Sequence, residues 1–343
     1  MTPLLSALAG DPEIDALLSD DAQLTAMLSV ERALVQASAE VGLVDPAAAA
    51  AITTAIAAFA PDHAALAAGM ARDGVVVPAL VAQLRATIPQ PHSTALHKGA
   101  TSQDIVDTAL MLQTAKILDI LQTRLGELLA RLADLRKSYG ERPLLAHTRM
   151  QAALPTRWGD KLQSWSDPLQ RHLSGLEAMR GGLLVIQLGG PVGDRRSFEG
   201  EGEAVAATLA IHLGLGVASP WHSARDPIVA LGDRLALLTG SLGKIGADVA
   251  LLAQTEIGAI TLEGGGGSSS MAHKSNPVTA ELLVALARFN AGLAGTLLQA
   301  MVHEYERSGA AWTLEWLTLP QIFVTTGASL RLSLKLCDQI RLT

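Results

Sequence analysis

The sequence predicts an all-α protein built from long packed helices. The chain has 343 residues, of which 49% are hydrophobic and only 3% aromatic, and Ala and Leu dominate the apolar content. A core of Leu and Ala is typical of packed helices, whereas a β-sandwich would need more Val, Ile, Tyr and Thr. Apolar residues also recur at alternating steps of three and four, which is the spacing of a helix with one apolar side.

Five long helices follow from these apolar repeats. The strongest repeats occupy residues 118–135 and 228–252, and weaker ones occupy 162–176 and 282–297. The predicted helices span, in order, residues 104–138, 156–180, 225–260, 277–303 and 315–340. A helix of about 35 residues is about 50 Å long, which suits a helical bundle shared between subunits.

The first hundred residues have a different pattern, with shorter Ala-rich segments that are broken by prolines such as Pro46, Pro61 and Pro78. Proline inside a helix removes a hydrogen bond and clashes with the preceding turn, so these segments predict short helices. We therefore expect a small helical domain over residues 1–103 and a long-helix bundle domain over 104–343.

Charge and cysteine content argue against several functional classes. The formal net charge is −7 and no basic stretch stands out, which argues against nucleic-acid binding. The single cysteine, Cys337, leaves no disulfide framework and no Cys-based metal site. No signal-peptide pattern is present, and the longest uncharged stretch, 204–224, contains Gly and Pro that make it a poor membrane span. We expect a cytoplasmic oligomer with no membrane or nucleic-acid partner.

A segment rich in Gly and Ser separates two of the predicted helices. Residues 264–277 read GGGGSSSMAHKSNP and combine backbone freedom, hydroxyl groups and Lys274 directly before a helix start. The unpaired N–H groups at a helix N-terminus favour an anion, so the segment predicts a loop that closes over an anionic ligand. On composition alone, a flexible linker is the alternative.

Three segments resemble conserved regions of the fumarase/aspartase superfamily. Residues 267–277 are similar to the signature Gly-Ser-Ser-x-Met-Pro-x-Lys-x-Asn-Pro and depart from it only at Ala272, where the family has Pro. Residues 97–108, HKGATSQDIVDT, resemble the first conserved region in the form typical of the cycloisomerase branch. Residues 148–155, TRMQAALP, resemble the family's Thr-His-x-Gln-x-Ala-x-Pro.

Arg149 occupies the position at which many superfamily members have an acid/base histidine, and His147 is out of register. Lyases that expel a hydroxyl or an amine benefit from such a proton donor. In a lactonisation the nucleophile is the substrate's own carboxylate, which is already ionised at neutral pH and needs no base. The resemblance therefore implies cycloisomerisation of 3-carboxy-cis,cis-muconate to 4-carboxymuconolactone, a step of protocatechuate degradation.

The resemblance also implies the residues of the site. Ser268 would transfer the proton to or from carbon, with Lys274 helping to shift its pKa, and His97 and His273 are alternative proton carriers. The residues expected to hold the substrate carboxylates carry hydroxyl, amide or guanidinium groups: Thr101, Ser102, Arg149, Gln151, Ser269, Asn276 and Arg307. For Arg307, a structural ion pair is an equal alternative. No metal ion and no organic cofactor are implied.

For assembly, the resemblance implies a homotetramer with a shared helical core. The regions around Thr101, Gln151 and Ser268 would come from three different subunits and bind one small tricarboxylate. Superfamily members usually continue into a further C-terminal helical domain, which we expect to be missing here.

Two other interpretations stay open. One is another superfamily lyase such as an adenylosuccinate lyase, against which Arg149 counts. The other is a catalytically inert structural member, which Ala272 leaves open and which the retention of Ser268, Lys274 and Asn276 opposes.

Overall fold

The computed structural model describes residues 2–267, Met271 and 275–343, and most of these residues are helical. The helices are α1 Pro3–Ala9, α2 Pro12–Leu17, α3 Asp20–Glu40, α4 Pro46–Ala58, α5 His63–Asp73, α6 Val77–Thr87, α7 Ser102–Tyr139, α8 Trp158–Leu183, α9 Gly202–Leu213, α10 Asp226–Leu252, α11 Val278–Gln299 and α12 Ala310–Gln339. The strands are β1 Pro143–Thr148, β2 Gln151–Arg157, β3 Ile260–Leu262 and β4 Ile340–Leu342. A mostly helical fold is thus confirmed.

The five predicted long helices correspond to α7, α8, α10, α11 and α12. The clearest difference is at α10, which ends at Leu252 rather than at residue 260. The Gln254 carbonyl accepts hydrogen bonds from the N–H groups of Ile257 (3.0 Å) and Gly258 (2.8 Å), and Gly258 has a φ of +56°. This tight turn ends the helical path and leads into β3.

A β-hairpin that the all-α prediction did not include connects α7 to α8. Strands β1 and β2 pair antiparallel, with Thr148 opposite Gln151. The two loop residues, Arg149 and Met150, have φ values of +50° and +66°, as a two-residue turn matching the twist of its strands requires. Such turns usually carry Asn or Gly, and neither residue occurs here, so the turn could not be recognised from the sequence.

The apolar core forms two clusters. The first is built on the long helices, and its members include the repeat residues predicted from the sequence, such as Leu118 in α7 and Leu235 in α10. The second packs α3, α4 and α6 against the start of α7 and also takes in Phe198 and Leu209. Helices α10 and α11 approach closely, because a Cβ at Gly246 would lie 2.5 Å from the Ala280 carbonyl oxygen.

Helices α7 and α12 run parallel, which gives the bundle two distinct ends. Asp107 and Glu315, near the two N-termini, share the guanidinium of Arg225. Arg131 and Asp338, near the two C-termini, form another ion pair. We call the N-terminal end of α7 and α12 the head end and the opposite end the tail end. Because α7 has 38 residues, the two ends are about 57 Å apart at 1.5 Å per residue.

Two helices of the described chain, α10 and α11, are long and apolar enough to cross a membrane by length and composition alone. Both are components of the bundle. Half of the most apolar stretch of α10 is buried inside the chain, against 28% for α11. Much apolar surface of α11 is therefore left uncovered by the chain itself.

Candidate active site

The head end brings together three of the predicted substrate-binding residues. Thr101 is the N-cap of α7 and forms a capping box with Asp104, whose Oδ2 accepts the Thr101 N–H at 2.9 Å. The Arg307 guanidinium donates a hydrogen bond to the Thr101 hydroxyl. Ser102, the first residue of α7, is partly exposed beside them. An exposed guanidinium at a helix N-terminus is a favourable environment for a carboxylate.

Asp104 also fixes the loop that follows α8. Its two carboxylate oxygens accept the N–H groups of Gly189 (2.8 Å) and Gly190 (2.9 Å). Nε2 of His222 lies 2.8 Å from Oδ1 of the same carboxylate. Gly190 has a φ of +71°, and a Cβ there would lie 2.9 Å from the Gly99 carbonyl oxygen. Only glycine fits this position, so the loop is held tightly against the segment that precedes α7.

Below the N-cap lies a buried ion-pair network centred on Arg225. Its guanidinium donates to both oxygens of Glu315 (2.8 and 2.6 Å) and to both oxygens of Asp107 (2.6 and 3.2 Å). The Trp312 indole N–H donates to Asp107 at 3.0 Å. Trp312 is therefore both buried and part of this network.

The network favours the charged forms of Arg225 and Glu315. Burial alone would lower the pKa of Arg225, but the charges and hydrogen bonds of Asp107 and Glu315 raise it above its ordinary value. Burial alone would raise the pKa of Glu315, but the hydrogen bonds and charge of Arg225, with the nearby imidazole of His303, hold it below its ordinary value. The head end therefore rests on a guanidinium that is compensated by two carboxylates.

The loop that carries Arg307 is attached to this network through His303. The imidazole of His303 is buried, and its Nε2 lies 3.5 Å from Oε1 of Glu315. At the start of α12, the Ser308 hydroxyl accepts the Ala311 N–H at 3.2 Å. These contacts hold the segment on both sides of Arg307, while Arg307 itself is exposed.

His97 lies in the segment that leads to the N-cap of α7. Its Nδ1 is 2.6 Å from Oε1 of Glu31, a carboxylate of α3 that is only 1% exposed. Burial alone would lower the pKa of His97, but the charge and hydrogen bond of Glu31, together with the charge of Asp104, raise it above its ordinary value.

The remaining predicted residues that the structure describes lie at the tail end. Arg149 and Gln151 are exposed in the turn and second strand of the hairpin. Arg142, just before the hairpin, donates a hydrogen bond to the Leu342 carbonyl at 3.1 Å, which fixes the base of the hairpin beside β4. Asn276 pairs with Gly266 through its backbone and lines a cavity of about 180 Å³. One chain therefore does not bring Gln151 or Asn276 to Thr101.

Ser268, Ser269, His273 and Lys274 lie outside the described residues. Within the described ranges, no group of three or more His, Cys, Asp or Glu side chains could hold a metal ion.

Sequence reasoning missed several buried ionisable residues that support the head end: Glu31, Asp104, Asp107, His222, Arg225 and Glu315. For two of them the sequence contains an indication, because Asp104 and Asp107 both fall on the buried side of α7 together with Thr108. A carboxylate on the buried side of a predicted helix must find a partner, although the sequence alone does not identify it.

Comparisons with known proteins agree with this architecture. The sequence model of the lyase family matches residues 12–289. The 3-carboxy-cis,cis-muconate cycloisomerase of Acinetobacter baylyi is 37% identical over 97% of this chain and 76% of its own length. The corresponding enzyme of Pseudomonas aeruginosa is 39% identical over 94% of this chain and 72% of its own. The crystal structure of the 3-carboxy-cis,cis-muconate lactonizing enzyme from Pseudomonas putida matches with a TM-score of 0.93 and 37% identity, over 99% of this chain and 77% of that chain. The protein is therefore a member of the lyase family, and with it of the fumarase/aspartase superfamily that its three matching segments predicted.

Proposed function

We propose that the protein catalyses the lactonisation of 3-carboxy-cis,cis-muconate to 4-carboxymuconolactone. The observation that carries this proposal is the similarity of nearly the whole chain to two cycloisomerases and to a lactonizing enzyme of known structure. The presence of Arg149 in place of an acid/base histidine supports it, because lactonisation uses a nucleophile that is already ionised.

At the head end, Thr101, Ser102 and Arg307 would bind one substrate carboxylate. Arg307 already contacts the Thr101 hydroxyl, and its exposure leaves its other N–H donors available to a ligand. A bidentate guanidinium–carboxylate pair at a helix N-terminus gains from both the hydrogen bonds and the helix dipole. The Arg225 network beneath would keep the three groups in place.

From the tail end, Arg149, Gln151 and Asn276 would hold the other carboxylates, and the resemblance adds Ser269 to this group. In the reaction, an oxygen of one carboxylate adds to the double bond and forms the ring C–O bond. The displaced electron pair moves to the neighbouring carbon as an aci-carboxylate. That carbon then takes a proton, so that the product is an isomer of the substrate.

The proton would come from Ser268, activated by the charge of Lys274 and by loop N–H groups in a closed, water-free site. His97 and His273 are the alternative proton carriers. The proposed reaction uses only side chains of the protein and groups of the substrate.

Head and tail groups would meet only between chains, because the ends of α7 are about 57 Å apart. We propose a homotetramer in which each site draws on three chains. Uncovered apolar residues favour such contacts, since Met150 and Leu154 of the hairpin are 76% and 75% exposed. We further propose a cytoplasmic location, as expected for an enzyme that acts on a small soluble acid.

An ultraviolet assay tests the reaction and the proton carrier together. Wild-type protein should abolish the diene absorbance of 3-carboxy-cis,cis-muconate, and Ser268→Ala should be at least about a hundredfold slower, the scale of a lost proton-transfer group. Ser174→Ala, at an exposed position of α8, is the matched control and should retain activity.

Full activity of Ser268→Ala would move the proton chemistry to His97 or His273. If the wild type leaves the diene unchanged but cleaves adenylosuccinate, the proposed reaction is wrong. Inactivity on both substrates would favour an inert structural member.

A further inference from the structure

His97 is held at the head end by a buried carboxylate. Its Nδ1 lies 2.6 Å from Oε1 of Glu31, while the histidine side chain keeps 16% exposure. Nε2, on the opposite edge of the ring, has no hydrogen-bond partner among the residues that the structure describes. One ring nitrogen is therefore fixed and the other remains available to a ligand.

The backbone around His97 is constrained to hold this orientation. His97 has a φ of +61°, in the left-handed region, which is unfavourable for a residue with a side chain. Arg85 donates to the Leu96 carbonyl at 3.0 Å, and Lys98 donates to the Leu43 carbonyl at 3.0 Å. The segment is thus fixed on both sides of a conformation that is unfavourable by itself, a pattern that often marks functional sites.

Glu31 has no other hydrogen-bond partner in the described chain, since its Oε2 is buried and unpaired. A buried ionised carboxylate is costly unless a cation compensates it. His97, 2.6 Å away, is the group placed to supply that charge.

We propose that Glu31 is a positioning residue for His97: it fixes the ring through Nδ1 and presents Nε2–H as a charged donor to a carboxylate of the substrate bound at the head end. This inference rests on the proposed function, because it needs an anionic substrate beside Thr101 and Arg307.

The charges around His97 agree with this role. The groups that act on it are Glu31 from α3, Asp104 from α7 and Arg85 from α6. Burial and Arg85 lower its pKa, but the two carboxylates outweigh them and raise it. The protonated ring is therefore favoured over a wider pH range than that of an ordinary histidine.

Glu31→Gln tests the proposal, because it keeps the shape of the side chain and removes its charge. Glu40→Gln is the matched control: Glu40 lies in the same helix and contacts His212 at 2.9 Å, but it is 58% exposed. Glu31→Asp retains the charge and should keep most of the wild-type behaviour, which separates the electrostatic effect from a general loss of folding.

The first readout does not depend on activity. The rate at which diethylpyrocarbonate modifies His97 in the intact protein is followed against pH by peptide mass spectrometry, because only the neutral imidazole reacts. In Glu31→Gln the midpoint for His97 should fall by at least about one pH unit, as expected when a directly bonded carboxylate is lost. The midpoint for His212 should stay unchanged. A midpoint for His97 that does not move would overturn the positioning role.

The second readout is the pH dependence of kcat/KM for lactonisation. In Glu31→Gln, the alkaline limb of the kcat/KM profile should move to lower pH by the same amount as the modification midpoint. KM near neutral pH should rise about tenfold, as expected for a weakened charge-assisted hydrogen bond. Glu40→Gln should match the wild type.

A shifted modification midpoint with an unchanged kcat/KM profile would make the pair merely structural and overturn its role toward the substrate. A wild type that leaves the diene unchanged would refute the proposed function, and the substrate role of His97 with it. In that case the modification midpoints still decide whether Glu31 controls His97.

Discussion

Replacing Arg225 with methionine should destabilise the protein strongly, because the guanidinium compensates two buried carboxylates. Arg225 and its partners Asp107 and Glu315 are each no more than 2% exposed. The substitution fills part of the space but leaves two like charges facing each other with no cation between them. Losing one partner of a buried ion pair typically costs about 3–5 kcal/mol.

This cost converts into a measurable shift of Tm. At about 2.1 cal/mol/K per residue, the unfolding entropy of 343 residues is about 0.7 kcal/mol/K, so Tm should fall by about 4–7 °C. Thermal scans at one fixed protein concentration measure the shift, since assembly would also make Tm depend on concentration.

Arg72→Met is the matched control for Arg225→Met. Arg72 also binds one carboxylate through two nitrogens, contacting Asp73 at 2.8 and 2.6 Å, but its side chain is 71% exposed. Solvent screens such a pair, so Tm should change by no more than about 1 °C. Equal shifts for the two variants, or an unchanged Tm for Arg225→Met, would refute the reasoning about the buried network.

Three further predictions address packing, binding and pH. In urea titrations, Gly246→Ala should lower the free energy of unfolding by about 1–3 kcal/mol, because the added methyl group meets a backbone carbonyl of α11. The control Gly126→Ala, with open space around the added methyl group, should be neutral or stabilising. Arg307→Ala should raise KM for the diene by about 10- to 150-fold through loss of a charged hydrogen bond, whereas the control Arg72→Ala should leave KM unchanged. An unchanged KM in Arg307→Ala would favour a structural ion pair for Arg307. Folding lowers the pKa of Glu315 from 4.5, so the ionised carboxylate stabilises the folded protein above that pH, and this stabilisation is lost as pH falls through the folded pKa. Tm should therefore fall steeply in acid. A Tm that stays constant from pH 5 to about pH 3 would contradict this prediction.

The helical architecture could be predicted because it depends on local periodicity. The repeat residues Leu118 and Leu235 are buried where the spacing places them, and the long helices follow. The hairpin could not be predicted, since its turn uses Arg149 and Met150 at positive φ, where sequence statistics favour Asn or Gly.

The site was only partly predictable, because its supporting contacts join distant parts of the chain. Asp107 and Glu315 lie 118 and 90 residues away from Arg225, and no pattern in the sequence pairs them. The contact between Thr101 and Arg307 spans 206 residues. Both residues were expected from the family resemblance, which carries information that spacing and composition lack.

The central claim is that each active site combines a head end from one chain with tail-end residues from others. Activity complementation tests it most directly. Arg307→Ala removes a head-end group and Gln151→Ala a tail-end group, and each variant alone should have little activity in the diene assay. In co-assembled mixtures at equal amounts, a site receives an intact head with a chance of about one half and an intact tail with a chance of about one half, so about a quarter of wild-type activity should return. Activity no greater than the sum of the two separate variants would contradict a site shared between chains.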